Sequence, residues 1–475
     1  MLINRKIAGM FIMVISIINL LIGCTQSSPE SVDVKNISYF KESDIQQENI
    51  MNQLKELISD NYKGRLAGSE GNALAAQYIA DSYKKIGLEN PTGLDNYMQN
   101  YKQPTILLKD KPVLQIIDNT NKTLVDFDYA ENFVLRRMQS KTSEIELNAP
   151  LFLPDSTENL HGMSGKLEGK VLLIPSELSW MTGSPEGPVD LASIYGAKAV
   201  ICEFDLSNNM SGIKYLKVTP FMAYNNSSNY RPFIFVDSDT FSKLVEAEKS
   251  NKHIYFSSSY KFDKDTKVAN VIGLIPGSDA KLKDEYIIVG AHFDHVGDNM
   301  DGTYNVGALD NASGPSAMLE IARIIRESKV RPKKSILFIA FNGESSGQWG
   351  SKYYARNPIY PMDKAVMINL DMVGSARELP LLIASPENKS STENNVLNNT
   401  LAEYAKELSI NYTTGNASGS DHVSFAAKDV PSVLLTHPDF ENGYHSLYDT
   451  IDKISGSRLS EVVKLVLYYI EKKAY

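Results

Sequence analysis

The chain has 475 residues, too many for one small core, and its length points to two or three domains. Its 43% hydrophobic and 22% charged residues are ordinary for a soluble globular protein. A formal net charge of -9 gives no sign of a nucleic-acid partner and fits a soluble or surface-exposed enzyme.

At the N-terminus, Arg5 and Lys6 precede an apolar run from Ile7 to Gly23 that ends in Leu21-Ile22-Gly23-Cys24. A basic start, a short hydrophobic stretch and a small residue at the exit describe an export signal, with an uncleaved anchor as the competing reading. The Leu-Ile-Gly-Cys ending resembles a bacterial lipobox. That resemblance implies removal of residues 1–23 and lipidation of Cys24, which would hold the chain to the outer face of a bacterial cell membrane. Losing Arg5 and Lys6 takes the net charge from -9 to -11. With Cys24 lipidated, Cys202 has no disulfide partner, because the chain has only two cysteines. Cys202 ends the apolar run Ala199-Val200-Ile201-Cys202 and reads as a buried small hydrophobe.

Residues 24–43 are polar and read as a tether. From Ile45 the pattern turns helical, with Met51, Leu54, Leu57 and Ile58 at spacings of three and four. A second helix is expected from Ala73 to Ile86, closed by Gly87, after the glycine-punctuated loop Gly64-Arg65-Leu66-Ala67-Gly68-Ser69. Residues 44–102 thus begin one domain. From 103 to 265 short β-type runs such as Val171 to Ile174 and Ala197 to Cys202 alternate with polar connections, and one short helix is expected near Asp190 to Tyr195. This is an inserted, strand-rich domain.

Residues 266–475 are α/β. Apolar runs at Tyr286–Val289, Ile336–Phe341, Ala365–Leu370 and Ser432–Leu435 are separated by helical stretches at Ser313–Glu327, Asn395–Leu408 and Leu459–Lys472. Continuous rather than alternating apolar runs suit strands covered by helices on both faces.

Chemistry collects at the ends of those runs. His292 follows Tyr286–Val289, Glu344 follows Ile336–Phe341 and Asp371 follows Ala365–Leu370. In an open α/β sheet, ligands gather beyond the carboxyl ends of the strands. Asp310 stands before Asn311-Ala312-Ser313-Gly314, a loop-to-helix junction, and His445 lies in a late loop. Taken singly, each is weak: a lone histidine is more often structural, and a lone Asp before a helix is more often an N-cap. Together the carboxylates would repel one another without a cation. Zinc takes His nitrogen and Asp or Glu oxygen and leaves one position open in a catalytic site, while a nearby carboxylate moves the proton.

Gly290-Ala291-His292-Phe293-Asp294, Gly307 to Gly314, Asn369-Leu370-Asp371-Met372 and Tyr444-His445-Ser446 resemble the co-catalytic zinc aminopeptidases, a family that includes bacterial leucyl aminopeptidases and aminopeptidase Y. The resemblance covers most of 47–475. It implies a three-layer α/β/α zinc-exopeptidase core. The inserted β-rich segment, with Gly169 to Ile174 and Tyr195 to Val200, resembles a protease-associated domain. Residue by residue, the resemblance makes Asp310 the carboxylate bridging two metals. His292 and Asp371 complete one site and His445 belongs to the other. Glu344 is the general base, and Asp294 orients His292. Peptides are the implied substrates, with acidic groups and a metal engaging the free α-amine. Asp421-His422 also looks like a family motif without an assignable role, and His295 reads either as a support behind the metal ligands or, in preference, as a plain surface histidine.

One position departs from the pattern. The family has two adjacent Glu residues, base then ligand, followed by Gly and later Gly-Ser. This chain reads Glu344-Ser345-Ser346-Gly347-Gln348-Trp349-Gly350-Ser351, which puts Ser345 where the second metal's Glu is expected. Asp310 and Asp371 then supply only two negative charges. The expectation is one firm zinc site from His292, Asp310 and Asp371, and a second that is weak or empty. The competing expectations are a non-catalytic or weakly active peptide-binding surface lipoprotein and a glutaminyl cyclase-like acyltransferase.

Overall fold

The computed structural model describes residues 39–475 apart from 130, 138–143, 155–164, 177–195, 205–230, 300–301, 329, 388–391 and 442. The export segment, Cys24 and the helix expected at 190–195 lie outside the described residues. Contacts divide the described chain into a larger unit, 39–107 with 262–475, and a smaller one, Leu108–Lys261.

In chain order the larger unit comprises α1 (Gln47–Leu57), α2 (Glu70–Ile86), β1 (Met98–Leu108), the end of β2 (His253–Ile275), β3 (Tyr286–His292), α3 (Ser313–Glu327), β4 (Ser335–Phe341), α4 (Trp349–Arg356) and β5 (Ala365–Leu370). It continues with β6 (Leu381–Pro386), α5 (Thr392–Glu407), β7 (Tyr412–Ala417), α6 (His422–Ala426), β8 (Ser432–Thr436) and α7 (Gly456–Ala474). The strand order is β7-β6-β8-β5-β3-β4-β2, with β1 beside β2. Strands β3, β4, β5 and β8 run parallel, β6 is antiparallel to β8, and β2 is antiparallel to β4.

Successive strand residues feed two different cores, which is why the runs are apolar throughout. Ile287, Val289, Ile336, Phe338, Ile368, Leu370 and Val433 pack with Leu54, Ile79, Met318, Leu401 and Val463 from five helices. Ile288, Leu337, Ile339, Phe341 and Met367 pack on the other face with Tyr354 of α4 and Phe425 of α6. The result is a three-layer α/β/α architecture. Helix α2 starts where the Ser69 side chain accepts from Asn72 N and ends at Gly87, whose φ of 86° favours glycine.

Within Leu108–Lys261, antiparallel strands Val113–Ile117, Thr123–Phe127 and Glu144–Phe152 are organised by the first part of β2. Val171–Ile174, Ala199–Glu203 and Phe233–Val236 run parallel over a core containing Leu172, Val200, Cys202 and Phe235. Cys202 is a buried free thiol, and burial pushes its pKa well up. The helix Ser238–Lys249, capped by Asp237 accepting from Thr240 N, was not anticipated from sequence. Strands β1 and β2 run through residues 103 and 265, the limits drawn from composition.

Candidate metal centre

His292 is the last residue of β3, level with Phe341 at the end of the neighbouring β4. Asp371 follows directly on β5 and Glu344 comes three residues after β4. Asp310 stands in the turn before α3, where Ala312 holds the cap position, so Asp310 is not an N-cap. His445 comes from the loop after β8.

These residues assemble into two groups that share Asp310. In the first, His292 Nε2 lies 3.4 Å from Asp310 Oδ1 and 3.2 Å from Asp371 Oδ1. In the second, His445 Nε2 lies 2.5 Å from Asp310 Oδ2, and His295 Nδ1 lies 3.6 Å from the same oxygen. Within each group the donor atoms sit within 4.8 Å of one another, and all five residues are buried. His295 is therefore not the surface histidine expected from sequence: it is 0% exposed. Arg65 O accepts a bond from its backbone N–H, and its backbone bridges to Leu66, so the early glycine-rich loop is what covers it.

A set of neighbours holds the ligands in place. Asn311 donates to the carbonyls of His292 and Leu370, and its Oδ1 accepts from Gly314 N and Met372 N, tying β3, β5 and α3 together. The Asp449 carboxylate accepts from the amides of Leu309 at 2.7 Å and Asp310 at 2.9 Å. The buried Arg65 guanidinium donates to the carbonyls of Leu57, Phe293, Val306 and Gly307. Ser420 Oγ donates to Asp371 Oδ2 at 2.6 Å.

Asp294 lies on both sides of the chemistry. Its carbonyl is 3.3 Å from His292 Nδ1, and its carboxylate is 3.7 Å from the same nitrogen. That carboxylate accepts from Glu344 N and Ser345 N, which fixes the turn carrying the base. Ser345 Oγ is buried without a hydrogen-bond partner among the described residues. Asp421 is buried close enough to feel His292, Asp294 and Asp371, whereas His422 Nε2 faces the carbonyl of Ala417 and joins neither group.

The electrostatics follow from burial and crowding. Burial pushes Glu344 well above the usual carboxylate range; His292 opposes this, while Asp421, Asp371 and Asp294 add to it. Burial also raises Asp421 to about 7 and Asp449 to about 7. Asp310 is pushed up by burial, but His445, His292 and His295 outweigh this and hold it well below its ordinary value. For His292, burial lowers the pKa, and Asp371 and Asp310 reverse the shift. Burial keeps His295 neutral, its pKa well below the ordinary value. Neither of its ring nitrogens has a hydrogen-bond partner among the described residues. A neutral imidazole with free nitrogens beside carboxylates fits a transition-metal cation.

The model of peptidase family M28 matches residues 270–470, the segment that carries both groups and Glu344. This part of the chain belongs to peptidase family M28. Aminopeptidase YwaD of Bacillus subtilis is 27% identical over 428 residues, spanning 88% of this chain and 82% of that protein. Among solved structures, the zinc aminopeptidase BSAP of Bacillus subtilis gives a TM-score of 0.67 at 22% identity, over 90% of this chain and 96% of that one. The aminopeptidase from Aneurinibacillus sp. strain AM-1 gives 0.65 at 23% identity, over 91% and 95%. These structural likenesses show a common fold.

Within the M28 segment, no sequence signal assigned His295 a direct place at a metal or marked Asp449, and outside it none marked Arg65. Asp449 lies four residues beyond His445, in the same late loop, which is a weak signal. Arg65 stood inside a motif already noted, but an exposed loop arginine was indistinguishable from a buried one.

Proposed function

We propose that the protein is a zinc-dependent aminopeptidase that removes N-terminal residues from peptides. The observation that carries this reading is the buried His292, Asp310 and Asp371 group at the carboxyl ends of parallel strands, with Glu344 on the adjacent strand end, in an M28 segment. Three protein ligands of this type suit a catalytic zinc. A bound zinc would polarise the scissile carbonyl and make water more acidic.

The chain's own residues supply the proton handling and the positioning. Glu344, with its raised pKa, takes a proton from the attacking water and returns it to the leaving amine. Asp294 holds the amides of Glu344 and Ser345 and braces His292, so base and ligand move as one unit. Ser420 fixes one oxygen of Asp371 and leaves the other toward His292. The His292 group is the firm zinc site in this reading, and the Asp310–His445 side binds more weakly because position 345 offers no carboxylate.

The test is release of 4-nitroaniline from aminoacyl-4-nitroanilides with and without chelator, repeated with Glu344→Gln. Chelator-sensitive release that falls by about 10²–10⁴ in the variant is expected from loss of a general base. No release on any such substrate by folded, zinc-loaded protein would leave the peptide-binding reading. Loss of ammonia from N-terminal glutamine without peptide cleavage would indicate the cyclase.

The same reading takes residues 1–23 as a signal peptide and Cys24 as lipidated, so that the enzyme works at the outer face of a bacterial membrane. The basic start, short apolar run and lipobox-like ending support it. The strand-rich make-up of Leu108–Lys261 supports reading that unit as protease-associated.

A further inference from the structure

We infer that His295, Asp310 and His445 form a second metal site, in which the His295 imidazole takes the place of the carboxylate absent at position 345. This deepens the aminopeptidase reading and rests on it for the identity of the first metal.

Three observations carry the inference independently of one another. The first is the division of Asp310: Oδ1 faces His292, while Oδ2 lies 2.5 Å from His445 Nε2 and 3.6 Å from His295 Nδ1. One carboxylate thus presents a separate oxygen to each group. The second is that His295 is fully buried with neither ring nitrogen in a hydrogen bond among the described residues, an arrangement that is costly unless something binds there. The third is that the fold makes room for this ring. Gly307, at φ 58°, lies against it, and a Cβ there would sit 2.5 Å from His295 Cδ2. The His295 ring meets that of His445 edge-on, with centroids 5.0 Å apart, and His445 itself stacks on Tyr444.

Two imidazoles and one carboxylate oxygen make a softer donor set than a pair of carboxylates. Such a set suits zinc, cobalt or nickel and disfavours magnesium, calcium and manganese. It also carries one negative charge fewer than a site with its own glutamate, so it holds its ion less tightly than the His292 group does.

The test uses the full chain, stripped with chelator and titrated with Co²⁺ alone, read by visible absorption and by metal content after equilibrium dialysis. Two equivalents are expected, the second bound at least about tenfold more weakly. His295→Ala, shown to be folded by circular dichroism, should bind one equivalent with the stronger affinity unchanged. Adding Ser345→Glu to that variant should restore the second equivalent. Uptake of a single equivalent by the unaltered chain, or of two by folded His295→Ala, would overturn the inference and leave the aminopeptidase reading intact. Two equivalents in the unaltered chain and one in His295→Ala, with no peptidase activity, would instead remove the aminopeptidase reading and keep the site.

Discussion

His437 shows how a single side chain outside the metal centre shapes stability. Its ring is buried, and Nδ1 accepts from Gly374 N at 2.9 Å. Burial, helped by the charge of Arg458, lowers its pKa from 6.5 to about 3. The folded state therefore refuses a proton that the unfolded chain accepts. Above pH 6.5 both states are neutral there and His437 adds no pH dependence. As pH falls from 6.5 toward 3, stability drops by up to about 1.4 kcal/mol per pH unit from this residue. Urea unfolding of His437→Gln across that range should show a slope shallower by one proton, and identical slopes would refute the assignment. At this scale the sequence was informative at or just beyond a strand end, where His292, Asp371 and Glu344 lie. It favoured a surface place for His295, because the loop that buries it lies far away in the chain at Arg65 and Leu66. Ser345 was legible only because Gly347 and Gly350-Ser351 fixed the register around it.

Helix α3 is the element that sets the depth of the site. It is buried along nearly its whole length, and its first turn approaches the end of β5 so closely that a Cβ on Gly314 would lie 2.6 Å from Leu370 O. The same Cβ would meet the Asn311 side-chain amide at 2.9 Å. Gly314→Ala must push α3 away from the residue preceding Asp371 and disturb the amide that ties β3 to β5. The expected cost is about 1–3 kcal/mol of stability, with a lower kcat/KM. An unchanged urea midpoint together with unchanged turnover would show that the helix moves freely. The helices and strands of this unit were legible because both periodicities are long and cleanly punctuated. β3 still ran further than its apolar run, through Gly290-Ala291-His292, because pairing with β4 continues to Phe341. The 23-residue strand His253–Ile275 and the helix Ser238–Lys249 were not legible: charged and hydroxyl residues interrupt the first, and Ser and Glu crowd the second.

For the molecule as a whole, class and architecture followed from the alternation of apolar runs and helical stretches, and the order of the motifs led to the family. The limits of the inserted unit were harder to see, because a strand that continues through a limit leaves no change of composition to mark it. The expected lipid anchor makes a claim about the entire chain. In a bacterial host fed labelled fatty acid, wild-type protein should carry the label, whereas Cys24→Ser should carry none. Equal labelling of the two would remove Cys24 as the lipidated residue.

The split use of Asp310 has a thermodynamic consequence. If both triads take an ion, filling either one would orient the oxygen that the other needs, while the added charge would oppose a second cation. The two occupancies would then be linked by a single coupling free energy, and reciprocity would require each ion to change the other's affinity by the same factor. Replacing Asp371, which touches only one triad, should be felt as a changed dissociation constant in the other.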